Sequence, residues 1–234
     1  MPNPVFASLP TSIFQHITML ALKHDAINLG QGFPDQDGPL SLREVAARQL
    51  LDGPNQYPPS KGLAVLRQAV AAHSADFYGL RYDPEDEVVI TSGGTEAVTG
   101  ALMAMAGVGD EVVMIEPTYD SYRPMAEGAG AVVRSVTLEP PGWRLTEDGL
   151  RAAISPKTRA ILINSPHNPA GRVFSREELE ALARVVSGSD IVVICDEVYE
   201  HLVFDGGAHI PLATLPGMRE RSLKIGSAGK IFSL

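Results

Sequence analysis

The sequence has one cysteine, Cys195, so no intrachain disulfide can form and the fold rests on burial and hydrogen bonding. Basic residues are also few. Lys and Arg total 19 against 28 Asp and Glu, for a formal net charge of −9, and no basic run occurs. A chain of that sign repels polyanions, which argues against nucleic acid and anionic membrane as partners. No apolar run reaches the ~18 residues of a membrane span. The amino end, "MPNPVFASLPTSIFQHITML", lacks the basic start and apolar core of a secretory leader. There is no G-x-G-x-x-G fingerprint of a dinucleotide site. No histidine or cysteine lies at metal-ligand spacing from His167, so no metal is expected. No repeat or low-complexity tract is present. A soluble protein of a reducing, cytoplasmic setting is the resulting expectation.

What remains is an ordinary globular balance, 44% hydrophobic and 20% charged over 234 residues. That length fits one large α/β domain or two modest ones. The spacing predicts a helix from Ser12 to about Lys23, then an irregular Gly- and Pro-rich stretch, "AINLGQGFPDQDGP". "SLREVAARQLL" opens with a capping-box pattern, Ser41 and Glu44, and "SREELEALARVV" repeats it with Ser175 and Glu178. "LAVLRQAVAAHSADFYG" reads as an amphipathic helix. From residue 88, short apolar runs ("VVIT", "EVVMIE", "AVVRSVTL", "RAILINS", "IVVICDE", "SLKIG") alternate with helical stretches. This alternation predicts a mainly parallel sheet covered on both faces, a three-layer α/β/α fold. In such folds ligands bind at the carboxyl ends of the strands.

The unusual residues collect at those strand ends. "SGGTEA" after "VVIT" is either a phosphate cradle at a helix start, with Gly94 and Thr95, or a tight strand-to-helix turn. In "PTYDSYRPM", Tyr119 or Tyr122 can stack on a flat ligand or simply pack a helix on the sheet. "SPHNPAGR" after "AILIN" is a rigid loop that could present the Asn168 amide to an oxygen, or use it to cap a turn. His167 beside it reads as a surface loop residue. Asp196 ends "IVVIC", where a buried carboxylate is costly unless paired, and Tyr199 follows three residues on. Cys195 reads as a small buried apolar residue. "SAGK" places Ser227 and Lys230 after the last apolar run, whereas Lys61 and Lys224 read as surface charges. Phosphate cradle, stacking aromatic, Asn, strand-end Asp with Tyr, and Ser-x-x-Lys are together the parts that hold a phosphorylated pyridine aldehyde.

This set resembles the fold-type I, class I/II aminotransferases that use pyridoxal 5′-phosphate, in particular the kynurenine/glutamine/methionine branch. The resemblance runs through "INLGQGFPD", "NQYPPSKG", "TSGGTEA", "EPTYDSY", "NSPHNPAGRVFSREELE", "CDEVYEHLVFDG" and "GSAGKIFS", essentially the whole chain. It implies that Lys230 forms a Schiff base with the cofactor and that Asp196 faces the pyridine nitrogen. Asn168 and Tyr199 would face the ring hydroxyl, Gly94, Thr95 and Ser227 the phosphate, and Tyr119 the ring. Tyr57 of "NQY" would reach the cofactor of a partner subunit, which implies a homodimer. Gly32 and Asn168 would lie beside the substrate. Residues 1–40 would form an N-terminal arm and small-domain segment, and residues 41–234 the large cofactor domain. Transamination between an amino acid and a 2-oxo acid, with ping-pong kinetics, is the activity implied. A carbon–sulfur β-lyase of similar fold and a non-catalytic cofactor-binding module are the alternatives. The apolar "SIFQHITML" suggests hydrophobic or sulfur-containing side chains in the substrate.

The family pattern continues past the lysine. It adds a basic phosphate contact and an Arg that clamps the substrate carboxylate, and Arg172 and Arg176 lie in no motif that assigns them that role. The expectation is one segment of a longer enzyme, with an open sheet edge, exposed apolar helix faces and weak amino-acid binding on its own.

Overall fold

The computed structural model describes residues 2–32 and 37–233. Five strands form one parallel sheet: β1 (Glu111–Glu116), β2 (Val132–Thr137), β3 (Thr158–Asn164), β4 (Val192–Asp196) and β5 (Ser222–Ile225). Their order across the sheet is β2-β1-β3-β4-β5. Parallel neighbours cannot be joined by hairpins, so each connection must cross over a face. Helices α6 (Tyr122–Gly128), α7 (Glu147–Ala153) and α8 (Arg176–Val186) make the first three crossovers. Helix α5 (Gly93–Met105) precedes β1 and packs on β3, β4 and β5.

Burial on both faces explains why the central strands read as unbroken apolar runs. Alternate side chains sort to opposite sides. Val113, Ile115, Ile161, Ile163, Val193 and Cys195 join Leu150 of α7 and Leu179 and Leu182 of α8 in one core. Val112, Met114, Ala160, Leu162 and Ile194 join Val98 and Leu102 of α5 and Ala126 of α6 in the other. Each fully buried Leu or Ile contributes about 1.5–3 kcal/mol. The chain leaves β1 towards β2 on one side and returns to β3 on the other. The loops after β1 and β3 therefore diverge, and a crevice opens between their carboxyl ends.

The amino-terminal third is different. Helices α1 (Pro4–Ala7), α2 (Ile13–His24) and α3 (Leu40–Asp52) contain no buried residue. In α4 (Ala64–Tyr78) the buried residues are polar, Arg67 and Ser74. The amphipathic helix expected over α4 forms, but its apolar side chains are exposed, Val65 at 70% and Phe77 at 63%. Arg67 anchors it: Nε donates to Gly62 O at 3.2 Å and Nη2 pairs with Glu85 at 3.0 Å.

Two expectations fail. "VVIT" is not a strand, because no described strand lies beside it to form a ladder. Val88 is buried and Val89 exposed, as in a strand, but the backbone link of Ile90 is a single bond to Lys61 O at 3.0 Å. The Ser41–Glu44 capping box is also absent. The N-cap of α3 is Pro39, which puts Ser41 inside the first turn. The box at Ser175 and Glu178 forms completely. Glu178 is buried there, accepts from Leu145 N at 2.8 Å and pairs with Arg172.

Ser175→Ala should therefore lower unfolding stability by about 1 kcal/mol, and Ser41→Ala by less than about half of that. Denaturant titration of both variants checks this, and equal losses would contradict the capping assignment.

Candidate active site

Sheet register gathers the strand-end residues. Asn164 at the end of β3 pairs with Asp196 at the end of β4, and Asp196 in turn pairs with Ile225 of β5. Asp196 is only 6% exposed, so its carboxylate has lost most of its water. The Tyr122 hydroxyl donates to Oδ2, and Val198 N donates to Oδ1 at 3.2 Å. Burial pushes the Asp196 carboxyl above its ordinary value of 3.8, while the Tyr122 and Val198 hydrogen bonds and the Lys230 charge pull the other way. Tyr122, the first residue of α6, is itself buried. Burial and the neighbouring carboxylate push its phenol far up, so it stays a donor.

The residue pattern alone leaves Tyr119 and Tyr122 equivalent, the family resemblance assigns Tyr119 to the ring, and the structure gives the two different surroundings. Tyr122 supports the carboxylate. Tyr119 remains half-buried at the crevice, 5.5 Å from the Tyr122 ring and steeply inclined to it. Phe14 of α2 lies 6.1 Å from Tyr119, so the amino-terminal arm reaches this site.

The loop after β3 is tied down by Asn164, which the sequence reading did not single out. Its amide donates to Asp196 O at 2.9 Å and accepts from Asn168 N at 2.7 Å. A polar residue closing an apolar run, "AILIN", was the available signal. Burial, and then the Asp196 charge, raise the Tyr199 phenol, and the neighbouring Asn168 side chain pulls it back only in part, for a net upward shift. His167 is buried rather than on the surface. Its Nδ1 accepts from Ala170 N at 3.3 Å, and burial pushes the imidazole down to about 4, so it is neutral at pH 7.

Ser227 caps α9 (Ala228–Phe232), accepting from Lys230 N at 3.4 Å. Lys230 is exposed, with Nζ 5.8 Å from the Tyr199 ring centre. At the start of α5, Ser92 N goes to Glu96 and Gly93 N to Thr91 O. The N–H groups of Gly94 and Thr95 have no intrahelical acceptor at that position. Gly94 also lets α5 approach β4 and β5: an added Cβ would meet Val198 Cγ1 at 3.2 Å.

Asp196, Tyr199, Asn168, Tyr119 and Lys230 thus come together, flanked by Gly94, Thr95 and Ser227. Tyr57 does not join them and is 98% exposed. Gly32 is exposed, and the rest of "FPDQ" lies outside the described residues. Arg172 is committed to Glu178 and to the Gly142 and Trp143 carbonyls. Lys224 is not a surface charge. It is buried against Glu200 at 2.7 Å and Glu197 at 3.7 Å.

A phosphorylated pyridine fits this donor set. A buried anion, Asp196, awaits a cationic N–H, a phenol–amide pair sits beside it, helix-start N–H groups flank it, and a free amine stands over it. The family model "Aminotransferase class I and II" matches residues 24–234, and the chain belongs to that family. The family's cofactor is pyridoxal 5′-phosphate. A probable N-succinyldiaminopimelate aminotransferase of Mycobacterium tuberculosis is 49% identical over 95% of the chain and 57% of its own length. The Escherichia coli methionine aminotransferase is 38% identical over 100% of the chain and 61% of its own length. The solved N-succinyldiaminopimelate aminotransferase of M. tuberculosis superposes with a TM-score of 0.95, over 99% of this chain and 61% of that one. The chain therefore spans about 60% of the length of these relatives.

Removing the Tyr122 hydroxyl should expose the cost of the Asp196 charge. Tyr122→Phe should lose about 1.5–3 kcal/mol at pH 7, and much less in an Asp196→Asn background. A carboxyl raised on folding contributes stability below its ordinary value of 3.8 that is lost as pH rises through the folded value. The cofactor-free Asp196→Asn chain should therefore gain on wild type as pH rises from about 4 towards 7. Thermal midpoints across pH test this, and a gain that shrinks with rising pH would contradict it.

Proposed function

We propose that the polypeptide carrying these residues is a pyridoxal-phosphate aminotransferase that moves an amino group between an amino acid and a 2-oxo acid. The observation that carries this is the buried Asp196 carboxylate, held by Tyr122 beneath Tyr199, Asn168 and Lys230. The cofactor, when bound, supplies an electron-poor ring that accepts the electron pair left at the substrate Cα. Asp196 holds the proton at the ring nitrogen, which keeps that ring electron-poor. Tyr199, kept protonated by its raised pKa, and the Asn168 amide donate to the ring hydroxyl oxygen. Gly94, Thr95 and Ser227 would hold the phosphate, where the start of α5 adds its dipole. Tyr119 would lie against the ring. Lys230 Nζ is the amine that would hold the cofactor, and once released it would serve the substrate Cα proton as base and acid.

Gly32 and Asn168 stand beside the substrate carboxylate in this reading. Residues 1–40 serve as the arm and small-domain segment, and 41–234 as the cofactor domain. Phe14 against Tyr119 makes the arm one wall of the side-chain pocket. That favours hydrophobic or sulfur-containing amino acids as donors. Tyr57 serves the site of a second copy in a homodimer, in keeping with its exposure and with the uncovered apolar side chains of α3 and α4.

Incubation with pyridoxal 5′-phosphate, borohydride reduction and peptide mapping tests the attachment. The reduced adduct should map to Lys230 and vanish in Lys230→Ala. An adduct on Lys61 or Lys224 instead would overturn the assignment. Asp196→Ala should weaken cofactor retention by roughly tenfold or more, the scale of one lost charge-assisted contact. Product analysis then separates nitrogen transfer to a 2-oxo acid from release of pyruvate and ammonia, which would mean a β-lyase.

A further inference from the structure

Two histidines outside this site face each other. His73 of α4 and His201, two residues beyond Tyr199, bring their Nε2 atoms to 2.7 Å, with the rings at 87°. One shared N–H satisfies that contact, so at least one ring nitrogen there offers a lone pair. The Glu200 carboxylate completes a group whose ligand atoms all lie within 4.8 Å of one another. The charge around it is unbalanced. Glu197 and Glu200 are both buried against one ammonium, Lys224, at 3.7 and 2.7 Å. Lys224 sits on Oε2 of Glu200, and a carboxylate has a second oxygen to offer. On the far side of Glu197, His209 Nε2 contacts it at 3.0 Å.

We propose that His73, His201 and Glu200 form a binding site for a divalent transition-metal ion of the zinc type, completed by water. Two imidazoles with one carboxylate select zinc, cobalt or nickel over calcium and magnesium, which take oxygen ligands. At tetrahedral angles, metal–nitrogen bonds of about 2.0–2.1 Å place neighbouring ligand nitrogens roughly 3.3–3.4 Å apart. The pair, 2.7 Å apart, thus needs to open by roughly 0.6–0.7 Å, a side-chain rotation rather than a backbone shift. His201 is exposed and can make that adjustment. Phe77 packs at 4.7 Å from His73 and 4.8 Å from His201, which limits the rings' other orientations. The Lys224 and Tyr78 contacts hold the Glu200 side chain in place. The ion replaces the shared proton and fastens α4 to the turn that carries Tyr199. Sequence spacing gives no hint of it, since 128 positions separate the two histidines.

The test uses the chain without a polyhistidine tag, stripped of metal and titrated with Co²⁺, followed by competition with Zn²⁺. About one equivalent should bind with the visible absorption of a nitrogen-ligated site, be displaced by Zn²⁺, and raise the thermal midpoint. His201→Ala, at an exposed position, and His73→Gln should each weaken binding by about tenfold or more, the scale that even a supporting residue carries. A His16→Ala/His24→Ala variant should bind as wild type does. Binding unchanged in His201→Ala, absent from wild type, or lost in the His16/His24 variant would overturn the proposal.

Discussion

Asp196 ends a strand that is buried on both faces, and the cost of a carboxylate in that position shapes its whole neighbourhood. Water cannot hydrate it, so protein groups must. Tyr122 and Val198 supply direct hydrogen bonds, and Lys230 adds a nearby positive charge. Each donor comes from a different place: Tyr122 from the helix after β1, Val198 from the turn after β4, Lys230 from the helix after β5. The parallel sheet delivers all three to one spot because every strand ends at the same edge. The site is thus a consequence of topology before it is one of chemistry. Burial still outweighs these donors, since the carboxyl remains raised. A cationic ring nitrogen removes that residual cost, and on this reading cofactor affinity draws on strain that folding leaves in place.

Directly beside this lies a second polar network, built differently. Glu197 and Glu200 are buried against the single Lys224 ammonium, which offsets their charge only in part. Burial alone would raise the Glu200 carboxyl, but the Lys224 ammonium holds it below its ordinary value. Such an ion cluster adds little net stability, because desolvation consumes most of the attraction. What it fixes is geometry. Lys224 on β5 reaches the turn that presents Tyr199, so the phenol is positioned by residues that never touch the ligand. Asp196 and Glu197 are adjacent in sequence, yet one is held by a phenol and a backbone N–H and the other shares the Lys224 ammonium and meets His209.

The sequence reading succeeded where local pattern decides the outcome and failed where distant partners do. β1, β3 and β4 were legible because burial on both faces leaves an unbroken apolar run. "VVIT" has the same composition, but a strand exists only with a neighbour, and none of β1–β5 stands next to it. Ser41 and Ser175 share one motif, and only Ser175 sits at the true helix boundary. Asp196 stood out because a carboxylate is costly at the end of an apolar run, whereas Lys230 gained weight only from the company of the other strand-end residues and the family resemblance. Pattern alone does not rank Tyr119 and Tyr122, because helix phase decides which ring turns inward; only the resemblance chose Tyr119. Lys224 and His167 were misjudged for a related reason. Glu200 lies 24 residues from Lys224, and the groups that bury His167 come from several elements.

The amino-terminal helices invert the usual relation between packing and sequence. Val65, Phe77, Leu50 and Leu51 are apolar and exposed, whereas α4 buries an arginine. Arg67 can be buried because three of its donors meet the Gly62 and Pro84 carbonyls and Glu85, which makes α4 a clamp on the loops around Gly62 and Pro84 rather than a core helix. An apolar face this large is costly in water. Its other side therefore needs a covering surface, while the sheet from β1 to β5 carries its own two cores. The strand-end cluster depends on the second arrangement, and the exposed apolar side chains of α3 and α4 on the first.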